Sequence, residues 1–327
     1  MFVRLIKTHR KTGYLLFSLV VLGILMAHIE SEDSYVFING EENYVLFGLI
    51  HHWLEGMFLL NAVLTAIFVL LNGFILFRIY RDHLFPNSWS MLPAVLFAVL
   101  TAAMPEFESL HPVWIAVLFL LFAIDRLFGS FDTRKPYGPL FETGFLLSLG
   151  SMFYFNLLIL VPAFLIGSKI LIRDSRWREP FLLCLGVLVP WILAFTAFFM
   201  LDKTGNLLHS VYVSFLVKKE SILDYIPRLV YLGFLILLTI GGSYTILRQY
   251  AEKKVKFRKF YLFFFLLFVL SIISFLLVPA VSSEMFIVAA VPVTFLLSNY
   301  FDSFKRYLFA EIFFAVLLGF VVFFHLV

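Results

Sequence analysis

Three carboxylates lie close together in one short polar segment near the start of the chain. Glu30, Glu32 and Asp33 fall within four residues, shortly after an apolar run that ends at Ala27. Such a cluster can hold a divalent cation, or it can supply a general base beside a substrate carried by a lipid. A solvated acidic loop that helps to fix membrane topology is the alternative interpretation, and the residues alone leave both open.

A second set of polar side chains follows in the same segment. Gly48, His51, His52 and Glu55 are spaced at i, i+3, i+4 and i+7, so they share one face of a helix over 44–57. The other positions are mostly apolar and aromatic, which is typical of a helix that lies flat in the membrane interface. His51 and Glu55 are one turn apart and could bind a metal, although they match no zinc-protease signature. An interfacial polar stripe is the other interpretation, and we assign no metal ligands.

A third group of candidates is the acidic pair Glu106 and Glu108, which belongs to the short polar segment 105–111. If this segment and the first acidic segment lie on one side of a membrane, they could meet over a cavity. Ordinary loop polarity explains the pair equally well.

The composition predicts the class of protein that must position these residues. Hydrophobic residues make up 62% of the 327 positions, 43 residues are Phe and only 14% are charged. That is too little charge to cover the surface of a soluble domain of this size. The long apolar runs predict membrane-spanning helices, which satisfy their own backbone hydrogen bonds in lipid. The basic residues form separate short clusters, so nucleic acid is not an expected partner, whereas membrane lipids are.

Apolar runs predict an all-α chain with eleven spans in a single domain, 1–327. The spans are 14–29, 57–78, 89–104, 112–128, 140–155, 156–172, 181–200, 229–248, 260–279, 286–300 and 307–325. With the N-terminus in the cytoplasm and the C-terminus outside, all but four of the 25 Lys and Arg residues fall on the cytoplasmic side, as the positive-inside rule requires. The four exceptions are Lys203, Lys218, Lys219 and Arg228.

Polar residues within or between the spans indicate helix contacts and a break. Asn61 and Asn72 are eleven positions apart and share a helix face, and we expect them to hold helices together. The two spans in 140–172 are short and meet at Asn156, which predicts a pair of tilted or broken helices. No chain of ionisable residues crosses the membrane, which disfavours an ion-coupled transporter.

The middle of the chain resembles a family of uncharacterised bacterial integral membrane proteins and, more loosely, the membrane core of GT-C glycosyltransferases. The resemblance rests on Gly144, Leu149, Gly150 and Ser151, followed by a broken helical pair and then the Pro190-Trp191 pair. It implies a GT-C-like core in 1–200 with an interfacial helix in the first outside loop. Residues 201–327 then supply an outside loop and further spans, all in the bacterial inner membrane.

The GT-C resemblance implies inverting transfer of a sugar from a polyprenyl-phosphate donor at the outer face of the membrane. The catalytic carboxylates would come from Glu30, Glu32, Asp33, Glu106 and Glu108. Substrate binding would involve His51, His52, Glu55, Lys203, Lys218, Lys219 and Arg228. A divalent cation or a basic group would then stabilise the leaving phosphate.

The sequence departs from the GT-C pattern at the start of the broken helical pair. Where such enzymes often carry a Lys or Arg, this chain has Phe153, Tyr154 and Phe155. A non-catalytic membrane subunit that binds a partner protein or a lipid is therefore a second hypothesis. A transporter of a lipid or a solute is a third.

Overall fold

The computed structural model describes most of the chain, and every regular element in the described part is helical. The described residues are 10–30, 44–48, 54, 57–84, 90–104, 110–172, 176–216, 226–248, 254–278, 284–303 and 307–326. They contain no β-strand, which confirms the predicted all-α class.

Twelve α-helices make up the described part of the chain. They are α1 (Arg10–Glu30), α2 (Phe58–Ile79), α3 (Leu92–Ala102), α4 (Pro112–Gly129), α5 (Tyr137–Phe153), α6 (Val161–Leu171), α7 (Arg178–Met200), α8 (Thr204–Leu216), α9 (Ile226–Arg248), α10 (Val255–Leu277), α11 (Glu284–Ser303) and α12 (Tyr307–Leu326). A π-helical turn over Tyr80–Leu84 extends α2, and a 3₁₀ helix over Phe155–Leu160 precedes α6.

Within the described residues, seven helices are long and apolar enough to cross a membrane. They are Leu59–Leu84, Pro112–Gly129, Arg178–Met200, Ile226–Thr245, Val255–Phe275, Glu284–Asp302 and Leu308–His325. Shorter apolar helices cover Gly13–Gly23, Leu92–Ala102 and Phe155–Leu171. Seven of the eleven predicted spans thus fall on a helix of this kind, and the chain is a multi-pass membrane protein. Within the described residues, the predicted spans 14–29, 89–104, 140–155 and 156–172 do not.

Helix α11 is the centre of the bundle. It packs against α3, α4, α9 and α10, and nearly all of its side chains are buried. The outer helices expose large apolar side chains instead, among them Leu193 and Phe199 on α7 and Leu308 and Val322 on α12. In a bilayer these apolar side chains face lipid, because the hydrocarbon core around a spanning helix contains no water.

The helical path breaks between α5 and α6, as the sequence predicts for 140–172. Tyr154 adopts an extended backbone conformation, and its N–H donates to the carbonyl of Gly150. The 3₁₀ helix follows, and Pro162 then occupies the first turn of α6, where the missing proline N–H costs nothing. The break turns the side chains of Tyr154 and Asn156 into the bundle.

Two glycines allow α5 and α7 to approach closely. A Cβ on Gly144 would overlap the carbonyl oxygen of Leu183, and a Cβ on Gly186 would overlap the carbonyl oxygen of Phe141. In lipid there is no hydrophobic driving force between helices. Small residues at such crossings stabilise the helix pair instead, because they let the two backbones make van der Waals contact.

Replacing Gly144 with Ala should therefore lower the free energy of unfolding by about 1–3 kcal/mol, because the backbone of α7 must move away. Thermal unfolding of the purified protein in detergent measures the effect. Gly138 lies on the same helix with nothing within 4 Å of an added Cβ, so Gly138→Ala is the matched control and should be neutral. Equal loss of stability in both variants would contradict the close approach.

Candidate functional site

Polar contacts concentrate at the two ends of the bundle. At one end, His83 Nε2 lies 2.8 Å from Asp125 Oδ1, and the Tyr80 hydroxyl donates to Asp302. At the other end, which we call the His111 end, His111 faces Glu284. The contacts at each end join residues that are far apart in the sequence.

His111 and Glu284 form a deeply buried pair. His111 Nε2 lies 3.4 Å from Glu284 Oε1, with the side chains 2% and 0% exposed. His111 is the N-cap of α4, where its Nδ1 accepts a hydrogen bond from the N–H of Val113. In a neutral imidazole the ring proton must then sit on Nε2, facing the carboxylate. Glu284 lies in the first turn of α11, where the helix dipole favours a negative charge.

Tyr154 and Asn156 complete a buried polar group that we call the His111 cluster: His111, Tyr154, Asn156 and Glu284. The hydroxyl of Tyr154 lies within electrostatic range of the Glu284 carboxylate and beside the Asn156 side chain. Both Tyr154 and Asn156 are almost fully buried. Among the described residues, the Tyr154 hydroxyl and Asn156 Oδ1 find no well-formed hydrogen bond.

The first predicted outside loop lies against this cluster. The ring of Tyr44 packs edge-on against the ring of Tyr154, with centroids 6.1 Å apart, and the N–H of Leu46 donates to the carbonyl of Met152 over 3.2 Å. Tyr44 and Phe47 are buried. The described part of the predicted interfacial helix therefore turns apolar residues toward the protein.

Helix α8 also reaches this region, although the sequence predicted only a loop over 201–228. It packs on α7 and on the 3₁₀ helix, and it buries Leu207 and Ser214, which are two turns apart. Ser210 and Ser214 face a narrow gap that Tyr44 and Ser151 also line. Three separate segments thus meet around the break between α5 and α6.

Several residues from which the sequence predicted a GT-C-like core have structural roles at the same place. The indole N–H of Trp191 donates to Ser151 Oγ over 3.0 Å, and its ring meets Phe155 edge-on at 5.5 Å. A Cβ on Gly150 would press on the side chain of Leu157. These contacts fix the end of α5 against α7 and the 3₁₀ helix.

The expected site residues lie mostly outside the described residues. Those outside are Glu32, Asp33, His51, His52, Glu55, Glu106, Glu108, Lys218 and Lys219, and the side chain of Glu30 is outside as well. Lys203 is exposed in the turn before α8, and Arg228 is half-buried in the first turn of α9. Within the described part, no three His, Cys, Asp or Glu side chains come together as a metal site.

Sequence reasoning missed the His111–Glu284 pair. Each residue stands at the edge of an apolar run, where a polar side chain is normally read as a loop residue. A signal was present in Glu284, which is the first residue of a 20-residue helix that is otherwise apolar in its first half and buried almost throughout. Asn72 behaved as expected, since its amide donates to the carbonyl of Trp114 on α4 over 3.1 Å. Asn61 instead donates to Leu54, just before its own helix.

The fold and the buried polar cluster define the class of this protein as an all-helical, multi-pass membrane protein with a polar site at one end. The chain belongs to DUF6427, a family of unknown function whose model matches residues 42–327. The match includes every described residue of the His111 cluster. No match was found among the curated proteins or the solved structures.

Removing one partner of the His111–Glu284 pair should be strongly destabilising. Glu284→Ala should lower the free energy of unfolding by about 3–5 kcal/mol, because it removes the carboxylate that faces the buried imidazole. The double variant His111→Leu with Glu284→Met should lose clearly less than the sum of the two single changes, because it removes both polar groups together. Unfolding in detergent by denaturant measures His111→Leu, Glu284→Met and their double variant, with Glu284→Ala beside them.

The exposed pair of Arg126 and Glu142 is the control for this cycle. Its atoms approach to 3.2 Å, but both side chains are more than half exposed. Arg126→Ala should therefore cost less than about 1 kcal/mol. Strict additivity of the two cluster substitutions would show that His111 and Glu284 do not interact.

Proposed function

We propose that this protein is a GT-C-like membrane glycosyltransferase that transfers a sugar from a polyprenyl-phosphate donor at the outer face of the bacterial inner membrane. The observation that carries the proposal is the contact of the first loop, through Tyr44 and Leu46, with a buried polar cluster at the helix break. The acidic residues Glu32 and Asp33 belong to that same loop, and Glu30 is the last residue of α1 before it.

The polar atoms without partners at the break support a site rather than a purely structural cluster. A buried hydroxyl or amide oxygen that lacks a hydrogen bond costs about 1–3 kcal/mol. The Tyr154 hydroxyl and Asn156 Oδ1 are both in this state among the described residues. A bound substrate that supplies the missing hydrogen bonds would offset this cost and explain why the chain keeps these groups.

The proposed reaction divides the work between the loop and the cluster. A loop carboxylate, Glu32 or Asp33, takes the proton of the acceptor hydroxyl, whose oxygen attacks the anomeric carbon of the donor. The bond from that carbon to the phosphate oxygen breaks, and the phosphate leaves with the bonding electrons. The Tyr154 hydroxyl donates a hydrogen bond to the departing phosphate. Lys203 or Arg228, or a divalent cation held by the loop carboxylates, would offset the charge of that phosphate.

The pairing of helix ends supports the proposed topology of eleven spans. His111, Tyr154 and Glu284 are separated in sequence by even numbers of predicted spans, and they meet at one end. Tyr80, Asp125 and Asp302 meet their partners at the other end. With the N-terminus in the cytoplasm and the C-terminus outside, the His111 end faces outward and carries the first acidic loop.

A non-catalytic subunit is the second candidate, and the aromatic residues at the break favour it. Tyr154 is flanked by Phe153, which stacks on Phe119, and by Phe155, which meets Trp191. No cationic side chain stands at these positions to bind a phosphate. Stoichiometric co-purification of a partner protein, with no turnover of any polyprenyl-phosphate sugar, would favour this candidate.

The loop carboxylates provide the first test of catalysis. Glu32→Gln combined with Asp33→Asn should reduce sugar transfer by about 10²–10⁴-fold, because no general base then remains beside the acceptor. The rate of sugar transfer is measured in proteoliposomes with a radiolabelled polyprenyl-phosphate sugar as the donor. Glu142→Gln, a change at an exposed carboxylate near the opposite end, should leave the rate unchanged. Full activity of the double variant would exclude the carboxylate assignment.

Tyr154→Phe separates a functional hydroxyl from a structural one. The change removes a buried hydroxyl that has no hydrogen bond among the described residues, so the melting temperature should stay the same or rise. Sugar transfer should nevertheless fall by about 10²-fold, as when a donor to a developing negative charge is lost. Unchanged transfer together with a lower melting temperature would show that the hydroxyl serves the fold alone.

A further inference from the structure

An apolar cavity of about 210 Å³ lies between four helices of the bundle. Its walls come from α3, α9, α10 and α11, and every lining residue is apolar or glycine: Leu100, Leu229, Leu232, Gly233, Leu235, Ile236, Phe268, Ile272, Phe275, Phe286, Ala289, Ala290 and Val293. The cavity is larger than the roughly 150 Å³ apolar cavities that stay dry and accept benzene or xenon. Water is therefore not its occupant.

The cavity is separate from the His111 cluster, although both lie toward the same end of the bundle. On α11 the cavity is lined by Phe286, Ala289, Ala290 and Val293. Taking about 100° per residue and subtracting full turns, they lie about 200°, 140°, 240° and 180° around the helix from Glu284. These angles place them on the side of the helix away from the carboxylate. Helix α11 thus presents its charge to one neighbour and an apolar wall to another.

The cavity reaches the lipid-facing surface. Helices α9 and α10 each pack along α11, and the cavity fills the angle between them. Leu229 lines the cavity and is 47% exposed, so the edge of the cavity is open on the side that a bilayer would cover. None of the described residues that line the cavity is polar, so a hydrocarbon chain in the surrounding membrane can enter there along apolar walls.

We infer that this cavity is a binding site for one hydrocarbon tail of a membrane lipid, held between α9 and α10 against α11. An empty apolar cavity costs stability in proportion to its volume, and a tail with many CH₂ groups restores the lost van der Waals contacts. The tail comes from an acyl phospholipid or from a polyprenyl phosphate, which share the chemistry that the walls recognise. The inference is independent of any sugar transfer.

Native mass spectrometry of the delipidated full-length protein tests this site. One sample receives dioleoyl-phosphatidylglycerol and another receives undecaprenyl phosphate. One lipid per chain should remain bound in at least one sample, and the sample that retains it identifies the source of the tail. Ala290→Leu should reduce the retained lipid by about tenfold or more, because the added carbons occupy the space of the tail.

Filling the cavity should also stabilise the lipid-free protein. Ala290→Leu should raise the melting temperature by about 2–4 °C. The matched control is Ala123→Leu on α4, the same change at a buried alanine outside this cavity, and it should lower the melting temperature. A lower melting temperature for Ala290→Leu would show that the space is not available and would overturn the inference.

A second control addresses lipid bound elsewhere on the surface. Gly319 lines a wider apolar groove between α9 and α12, and an added Cβ there meets nothing within 4 Å. Gly319→Leu should leave lipid retention unchanged. Three results would overturn the cavity as the site. They are equal lipid retention by the wild type and Ala290→Leu, loss of lipid only in Gly319→Leu, and no retained lipid in either sample.

Discussion

The buried carboxylate of Glu284 sets the arrangement of the helices around it. A charge inside a protein is tolerated only when a partner and hydrogen bonds offset its lost hydration. His111 provides that partner at 3.4 Å, and it does so from the N-cap of α4. The start of α11 is therefore tied to the start of α4. Because α3, α9 and α10 also pack against α11, this contact links the start of α4 to the helices around α11.

Between its two polar ends the bundle is held by shape rather than by hydrophobicity. Lipid is as apolar as a leucine side chain, so close packing must supply the attraction between spanning helices. Phenylalanine rings supply much of this close packing. Phe128 stacks on Phe260 at 4.0 Å, and Phe264 stacks on Phe295 at 4.2 Å. Gly144 and Gly186 allow equally close packing between α5 and α7, because they let the two backbones touch. Apart from the cavity between α3, α9, α10 and α11, the interior is therefore closely packed, and the buried charged groups lie at its ends.

Local pattern was enough to predict the helical segments, the break near Asn156 and the helix contact of Asn72, since each depends on apolar runs or on one costly polar group. The pairing of His111 with Glu284 could not be predicted from local pattern, because the two residues are 173 positions apart and each looks like a loop residue. Helix α8 was also missed, since its apolar face is short and mixed with serines. The expected catalytic carboxylates lie outside the described residues and stay predictions.

The sidedness of the bundle decides whether the His111 cluster can act on a substrate outside the cell. Lys203 is exposed near the His111 end, and Lys135 is exposed near the opposite end. In a Cys184→Ser background, single cysteines at these two positions can be labelled in intact spheroplasts with a membrane-impermeant maleimide. The account predicts labelling of Lys203→Cys without permeabilisation and of Lys135→Cys only after it. The reverse pattern would place the cluster in the cytoplasm and contradict the account.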